Sequence, residues 1–275
     1  VHGRPVEQMI AYIQPGQRLL ILTTGSDTPN KIAKFLTERG FGRSRMTVLA
    51  AMGGPDEKIF EDKAESWDQT VPEFNTLAVD CIPDKEAALL PRVPGLADEL
   101  FEHDGTMTKR EVRAVTLAKL MPMRGALLWD VGCGCGSVAV EWMRAARYTR
   151  AIGLEPRADR RLMAAANALA LGTPGVQLIE GKAPVALAGR EQHDAVVIVG
   201  GLAEPVIDAC LAALRPLGRL VCNAVTLESE TLLIDMHKKY GGELIKLQVN
   251  RAEAVGPYRG WRAHMPVTQW SLIKR

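Results

Sequence analysis

A glycine-rich turn with an acid at its start and another in the next strand is the part of this sequence best suited to chemistry. Residues 130–137 read Asp-Val-Gly-Cys-Gly-Cys-Gly-Ser. The apolar run 126–129 precedes the turn and a helical pattern at 138–147 follows it, so the order is strand, turn, helix. Glycines in such a turn adopt positive φ and let the backbone approach a ligand. Glu155 ends the next apolar run, where an acid can accept hydrogen bonds from ribose hydroxyls. The pattern therefore predicts a cofactor that carries adenosine.

The spacing of the glycines distinguishes between adenosine cofactors. Dinucleotide-binding turns read G-x-G-x-x-G, whereas this turn reads G-x-G-x-G and continues with Ser137. Asp130 would bring a negative charge near the cofactor, which suits the sulfonium and ammonium of S-adenosylmethionine (SAM) better than a pyrophosphate. SAM is therefore the predicted cofactor, and the alternatives are a nicotinamide or flavin nucleotide and a turn without a ligand. The residues of this motif predicted to bind SAM are Asp130, Gly132, Cys133, Gly134, Cys135, Gly136 and Glu155.

The composition restricts the class of protein. The 275 residues allow about two domains, and 47% of them are apolar. A net charge of +2 does not predict nucleic-acid binding, and no apolar run approaches the roughly 18 residues of a membrane span. The five cysteines are expected to be reduced thiols in the cytoplasm, and no metal is expected because Cys133 and Cys135 lack a second Cys or His pair. Because the sequence starts with Val1, we expect a fragment.

Residues 1–82 are predicted to form a small α/β half-domain. A helix is predicted to begin at Thr28, with Pro at its next position, and to end at Gly40. The prolines that follow mark residues 83–100 as a linker. The predicted strands of this unit are 18–22, 46–50 and 75–79.

Residues 101–275 alternate between strand and helix patterns, which predicts a parallel sheet with helices on both faces. The last strand is expected to run antiparallel, because the irregular loop before it is too short for a crossover helix. Seven strands with a reversed last strand are typical of the α/β, Rossmann-like class I SAM-dependent methyltransferase fold. His193, before the fourth strand, is expected to be exposed. The predicted strands are 126–130, 150–155, 176–180, 194–199, 218–225, 243–250 and 268–274, and the predicted helices are 138–147, 158–171, 204–214 and 228–240.

The residues after the fourth strand bear on the atom that is methylated. Enzymes that methylate planar exocyclic amines commonly carry Asp/Asn-Pro-Pro-aromatic at this place. This chain reads Val-Gly-Gly at 199–201 and offers no pair of acceptors for an N–H. The sequence therefore disfavours N-methylation of a base or of glutamine and leaves carbon or oxygen methylation.

Four separated motifs resemble those of the decarboxylating methyltransferases of cobalamin biosynthesis. They precede the first strand and follow the third, fourth and fifth strands, in the order of that family. These motifs are 104–113, 181–184, 199–201 and 223–228. The N-terminal unit is similar to the second half of a tetrapyrrole methylase domain, at 22–26, 46–48 and 52–55. The first half of that domain carries much of its SAM site and is not found in this sequence. This unit is therefore expected to be inactive.

The resemblance implies two reactions on a precorrin, a tetrapyrrole with many carboxylates. One is methylation of carbon 15, and the other is loss of CO₂ from the acetate at carbon 12. Positioning and exclusion of water would supply most of the catalysis, because the electron-rich meso carbon is itself the nucleophile. The resemblance also implies a homo-oligomer, with a tetramer as the expected size. Alternatives are a class I methyltransferase acting on tRNA or protein carboxyls, and a nucleotide-binding module without catalysis.

The same resemblance assigns roles to individual residues. Thr108 is expected to contact SAM and, with Glu111, to have the spacing of a capping box at a helix start. Lys182 stands where relatives carry an acid, so an adenine contact there is expected from the backbone, for example at Ala183. Lys182, Ala183 and Gly200 are further residues predicted to bind SAM. Candidate catalytic residues, including proton donors for the decarboxylation, are Glu111, Arg113, Asn223, Tyr258 and His264. Candidate clamps for the substrate carboxylates are Lys109, Arg110, Arg251, Arg259 and Arg262, with Arg113 also considered.

Overall fold

The computed structural model describes residues 3–275 and divides them into two compact units. One unit runs up to Arg92 and includes Leu169–Pro174. The other contains Val93–Ala168 and Gly175–Arg275. Among the described helices, none is both long and apolar enough to cross a membrane. Short 3-10 turns occur at Val6–Tyr12, Ala64–Ser66, Asp98–Leu100 and Val185–Leu187.

The first unit is built on a four-stranded antiparallel sheet in the order β1-β4-β2-β3. Side chains that alternate along β2 and β4, such as Met46 and Leu77, are fully buried and share one core with Ile32 and Leu36 of the helix. β3 was not predicted because most of its Lys-Ile-Phe-Glu-Asp-Lys residues are exposed at the edge of the sheet. The elements are β1 Arg18–Leu22, α1 Thr28–Glu38, β2 Arg45–Ala50, β3 Lys58–Lys63 and β4 Asn75–Asp80.

The second unit contains a seven-stranded sheet flanked by helices. Its first elements are α2 Arg110–Leu120, β5 Leu127–Val131, α3 Ser137–Ala145, β6 Arg150–Leu154, α4 Ala158–Ala170, β7 Gln177–Ile179 and β8 His193–Ile198. The last two residues of α4, Leu169 and Ala170, are grouped with the first unit. They are followed by α5 Glu204–Ala213, β9 Leu214–Ala224, α6 Leu227–Tyr240, β10 Glu243–Leu247, β11 Asn250–Val255, β12 Tyr258–Ala263 and β13 Val267–Ile273.

The strand order β10-β13-β9-β8-β5-β6-β7 is that of a class I SAM-dependent methyltransferase. β5 to β9 pair in parallel, whereas β13 lies antiparallel between β9 and β10. The predicted fold class and its reversed last strand are therefore confirmed.

The central strands are apolar on both faces because helices cover both sides of the sheet. In β5 all five residues are buried; Trp129 belongs to one core cluster and Leu128 to the other. The strand ends that carry the glycine turn, Glu155 and the residues after β8 and β9 lie at the carboxyl edge of the sheet, where ligands bind in such folds.

Two expectations about local structure were wrong. The loop before the last strand is not irregular but holds the β11–β12 hairpin, closed by Gly256-Pro257 with Gly256 at φ +58°. A glycine at the first position of a two-residue turn was the signal for this hairpin. His193 is fully buried instead of exposed and stacks on Trp129 with 4.0 Å between ring centroids. The apolar sheet interior therefore begins at this residue.

Candidate active site

A cleft of about 1000 Å³ opens at the carboxyl edge of the seven-stranded sheet. This volume is at the upper end of the range for small-molecule sites, so it leaves room for two reactants. The predicted site residues that line the cleft are Thr108, Lys109, Gly132, Cys133, Gly134, Cys135, Glu155, Lys182, Ala183, Gly200, Asn223, Arg262 and His264. Those outside the lining are Arg110, Glu111, Arg113, Asp130, Gly136, Arg251, Tyr258 and Arg259.

The glycine turn is held tightly against neighbouring strands. The N–H groups of Gly132 and Cys133 donate to the carbonyl oxygen of Leu154 at 2.9 and 3.0 Å. Gly132 has φ +74°, and a β-carbon there would lie 2.6 Å from the α-carbon of Gly200. A side chain at Gly132 would therefore collide with the backbone of Gly200. The turn presents backbone to the cleft, as predicted.

Gly136 plays a structural part that differs from its predicted contact with SAM. It is the N-cap of α3 with φ +76°, and a β-carbon there would lie 3.0 Å from the β-carbon of Ala164. This glycine allows α3 and α4 to approach each other, and it does not line the cleft.

Glu155 is buried at the wall of the cleft. One carboxylate oxygen accepts from the N–H of Gly134 at 3.1 Å, and the other accepts from the N–H of Arg157 at 3.0 Å. Each oxygen has further lone pairs. The side chain is therefore fixed by the glycine turn and can still accept hydrogen bonds from a diol, which fits the ribose of SAM.

Asp130 does not face the cleft, and the expectation that it lines the cofactor site was wrong. Its side chain is 1% exposed, and its Oδ2 accepts from the N–H of Ala139 at 3.1 Å, in the first turn of α3. Burial and, to a lesser extent, the charge of Glu155 raise the pKa of Asp130 to about 7. The N-terminus of a helix attracts this carboxyl group because its N–H groups lack partners within the helix.

The segment before α2 brings Thr108 and Lys109 into the cleft, but the predicted capping box is absent. Lys109 is the N-cap of α2, and its side chain makes no capping hydrogen bond. Glu111 instead accepts from Arg251 at 2.8 Å, outside the cleft. With Lys109 as the N-cap, the acid of a capping box would have to stand at position 112, so Thr108 and Glu111 are one position too early. Arg110 is exposed beside them.

Arg113 is a buried structural residue and not a catalytic group or a carboxylate clamp. Its side chain is 0% exposed and pairs with Glu141 at 2.6 Å and Asp98 at 3.1 Å. It also donates to the carbonyl oxygens of Thr108, at 2.7 Å, and Leu96. Every direction around this guanidinium is occupied, so it cannot reach a substrate. It does hold the segment that carries Thr108.

The hairpin contributes one end to the cleft. Arg262, paired with Glu253 at 3.0 Å, and His264 line the cleft. Tyr258 and Arg259 lie at the turn end of the hairpin and do not line the cleft, so the structure does not bring them to the predicted site. Arg251 is paired with Asp98 and Glu111, at 3.1 and 2.8 Å, and does not line the cleft.

Lys182, Ala183 and Asn223 line the cleft as predicted, and Lys182 is exposed. Within residues 3–275, neither Lys109 nor Lys182 forms an ion pair, so both ammonium groups are available to an anion. Sequence reasoning missed the apolar part of the lining, which requires the three-dimensional arrangement of separate loops. Its members include Met107, Val138, Val199, Val225, Leu247, Val249, Met265 and Val267.

The donor set suits SAM and gives no indication of a metal. No group of three or more His, Cys, Asp or Glu in the described part of the chain is arranged to hold a metal ion. Backbone at positive φ, the carboxylate of Glu155 and apolar side chains surround the same space. This is the chemistry that an adenosine with a positively charged methyl donor requires.

Known proteins resemble this chain in sequence and fold. The family model of the precorrin methyltransferase domain matches residues 99–274. A Sinorhizobium sp. protein named precorrin-6Y C(5,15)-methyltransferase, decarboxylating, is 45% identical over 276 residues, which cover 100% of this chain and 67% of that protein. The chain thus spans about two thirds of that relative.

Two further relatives are shorter than that protein. A Pyrobaculum calidifontis protein, named as a probable cobalt-precorrin-6B C(15)-methyltransferase (decarboxylating), is 36% identical over 181 residues, covering 63% of this chain and 93% of the relative. The crystal structure of the C-terminal domain of precorrin-6Y C5,15-methyltransferase from Rhodobacter capsulatus is 46% identical, with a TM-score of 0.63. It covers 66% of this chain and 99% of that domain.

Proposed function

Because the chain belongs to the precorrin methyltransferase family, we propose that it methylates carbon 15 of a precorrin and decarboxylates the acetate at carbon 12, with SAM as methyl donor, in cobalamin biosynthesis. The observation that carries this proposal is a single cleft that joins a glycine turn and Glu155 to an apolar wall with unpaired lysines. The names of the relatives favour this function over a tRNA or protein-carboxyl methyltransferase and over a module without catalysis.

The cofactor half of the cleft is proposed to bind SAM, which supplies an electrophilic methyl group. Glu155 accepts hydrogen bonds from the ribose, while the backbone from Gly132 to Cys135 lies along the cofactor. Thr108 and the backbone of Ala183 are proposed as further contacts, from the opposite loops. Gly200 contributes by leaving room for Gly132.

The other half is proposed to hold the tetrapyrrole. Its wall is apolar and includes Met107, Leu247 and Met265, which suits the face of a macrocycle. Lys109 and Lys182 provide unpaired positive charges for peripheral carboxylates, and Arg262 can exchange Glu253 for a substrate carboxylate. Binding both reactants in one cleft would align the meso carbon with the methyl group of SAM and would exclude water from between them.

The decarboxylation requires a proton as well as a bound carboxylate. His264 is the proposed donor, because it lines the cleft and is half-buried. The electron pair left by CO₂ enters the conjugated macrocycle, and the proton then completes the methyl group at carbon 12.

Three further properties are proposed. Residues 1–82 are proposed to correspond to the second half of a tetrapyrrole methylase domain. A homo-oligomer, with a tetramer as the expected size, is proposed from the family and can be measured by light scattering. A reducing, cytoplasmic location is supported by five free, buried cysteines.

The function is tested by incubating the chain with a precorrin substrate and labelled SAM, followed by mass spectrometry. Gain of one methyl group and loss of CO₂ are expected, and Glu155→Ala should lose both through weak SAM binding. An unchanged substrate, with SAM binding intact by calorimetry, would overturn the proposed reaction. Tight NAD(H) binding without binding of SAM or S-adenosylhomocysteine would overturn the cofactor assignment.

A further inference from the structure

Three polar side chains form a closed group at the point where Asn223 lines the cleft. Asn223 and Gln269 are direct partners in the antiparallel pair β9–β13, and Thr116 of α2 contacts both. Thr116 and Gln269 are 0% and 1% exposed, whereas Asn223 is half-buried. Neither buried residue was singled out by the sequence, because they come from elements far apart in the chain.

The hydrogen bonds of this group determine which way each amide points. The hydroxyl of Thr116 donates its proton to the carbonyl oxygen of Val112 at 2.8 Å, so it can only accept from other groups. It accepts from Asn223 Nδ2 at 3.0 Å and from Gln269 Nε2 at 3.1 Å. Gln269 Nε2 also donates to Asn223 Oδ1 at 2.9 Å. Turning either amide over would bring two acceptors or two donors together.

This arrangement leaves a defined hydrogen-bonding capacity on Asn223. One Nδ2–H and one lone pair of Oδ1 have no partner among the described residues. A carboxylate can only accept, so it would use the free Nδ2–H. This donor is neutral, unlike Lys109 and Lys182 in the same cleft. A neutral donor orients a carboxylate but stabilises its charge less than an ion pair does, and that charge is lost when CO₂ leaves.

We propose that Asn223 binds the acetate carboxylate that is lost as CO₂, and that Thr116 and Gln269 are positioning residues that fix its amide. The inference rests on the proposed function. In the step concerned, the bond between the acetate methylene and the carboxylate carbon breaks and CO₂ leaves. The electron pair enters the macrocycle, and a proton adds to the methylene carbon to give a methyl group, so no oxidant or reductant is needed.

The test measures CO₂ release and methyl transfer separately in the full chain with precorrin substrate and SAM. Asn223→Leu should slow CO₂ release about tenfold to a hundredfold, the usual effect of losing a hydrogen bond to a charged group, and should slow methyl transfer much less. Thr116→Val and Gln269→Met should likewise slow CO₂ release more than methyl transfer. Thr116→Ser, which keeps the hydroxyl, should restore most of the CO₂ release lost in Thr116→Val.

Thermal melting and SAM titration of each variant separate these effects from misfolding. Equal slowing of both reactions, or no slowing of CO₂ release in Asn223→Leu, would overturn the inference. Equal behaviour of Thr116→Val and Thr116→Ser would overturn the positioning role. If the wild-type chain itself transfers no methyl group and releases no CO₂, the proposed function fails instead.

Discussion

Gly132 and Gly200 touch backbone to backbone across the carboxyl edge of the sheet. A β-carbon on Gly132 would lie 2.6 Å from the α-carbon and 2.7 Å from the nitrogen of Gly200. Backbone atoms cannot move aside as a flexible side chain can. The contact joins the turn after β5 to the loop after β8, and both line the cleft.

Gly132→Ala is therefore expected to abolish SAM binding and to lower the melting temperature. Gly189→Ala is a matched control, because Gly189 has φ +72° against +74° for Gly132, but its β-carbon would meet no atom of the described residues within 4 Å. In the control, the free energy of unfolding should fall only by the roughly 1–2 kcal/mol that a left-handed backbone costs an L-residue. Calorimetric SAM titration and thermal melting distinguish the two, and equal effects would refute the role of the close contact.

Arg113 and Arg251 both pair with Asp98, but only Arg113 is fully buried. Arg113→Met is expected to lower the free energy of unfolding by about 3–5 kcal/mol, because Glu141 is left buried without its partner. Arg251→Met should cost at most about 1 kcal/mol, since Asp98 keeps Arg113. Urea unfolding measures both variants. A smaller loss in Arg113→Met than in Arg251→Met would contradict the structural assignment.

Asp130 should make the folded state less stable as the pH rises. The pKa of Asp130 is about 7 in the folded state and 3.8 as the ordinary value, so between these values the folded state binds more protons. The wild type should lose stability relative to Asp130→Asn across this window, by at most about 1.4 kcal/mol per pH unit. Chemical unfolding from pH 4 to 8 measures the difference, and parallel curves for the two proteins would refute it.

His193 should act in the opposite direction. Burial lowers the pKa of His193 from 6.5 to about 3, so below pH 6.5 the unfolded state binds the extra proton. Stability is therefore expected to fall as the pH drops from 6.5 towards 3. His193→Phe, which keeps an aromatic ring against Trp129, should remove this part of the acid sensitivity. The difference in free energy of unfolding between wild type and His193→Phe should be constant above pH 7. If this difference is also constant from pH 4 to 6, the assignment is wrong.

Lys109 and Arg110 are adjacent cations with different surroundings. Lys109 lines the cleft without an ion pair to any described residue, whereas Arg110 is exposed outside the cleft. Lys109→Gln is expected to raise KM for the precorrin about tenfold, the effect of losing one charge-assisted hydrogen bond, with little change in SAM affinity. Arg110→Gln should leave both unchanged. A rise in KM of the same size in both variants would indicate a general effect of net charge.

The sheet and the glycine turn could be predicted because local sequence determines them. Period-two and continuous apolar runs mark strands. In the turn, positive φ favours glycine at positions 132, 134 and 136. The hairpin β11–β12 escaped prediction because most of its residues are exposed, so no apolar pattern marks it.

The charged and polar residues were harder to assign than the apolar ones. Asp130, Arg113 and Arg251 have the residue types of a binding site. Asp130 instead accepts a hydrogen bond from the first turn of a helix, and the two arginines form ion pairs within the protein. Conversely, Thr116 and Gln269 carry no motif. A polar side chain has one role when its partner is solvent or ligand and another when its partner is protein, and sequence does not give the partner.

By itself the sequence determined the sheet with its reversed last strand, the glycine turn after β5 and Glu155 directly after β6, because backbone conformation and burial periodicity are local properties. Only the tertiary structure decided which cations reach the cleft, which acids stay buried and how Asn223 is oriented. Those properties depend on distances between residues far apart in the chain, such as Thr116, Asn223 and Gln269, and such distances exist only once the chain is folded.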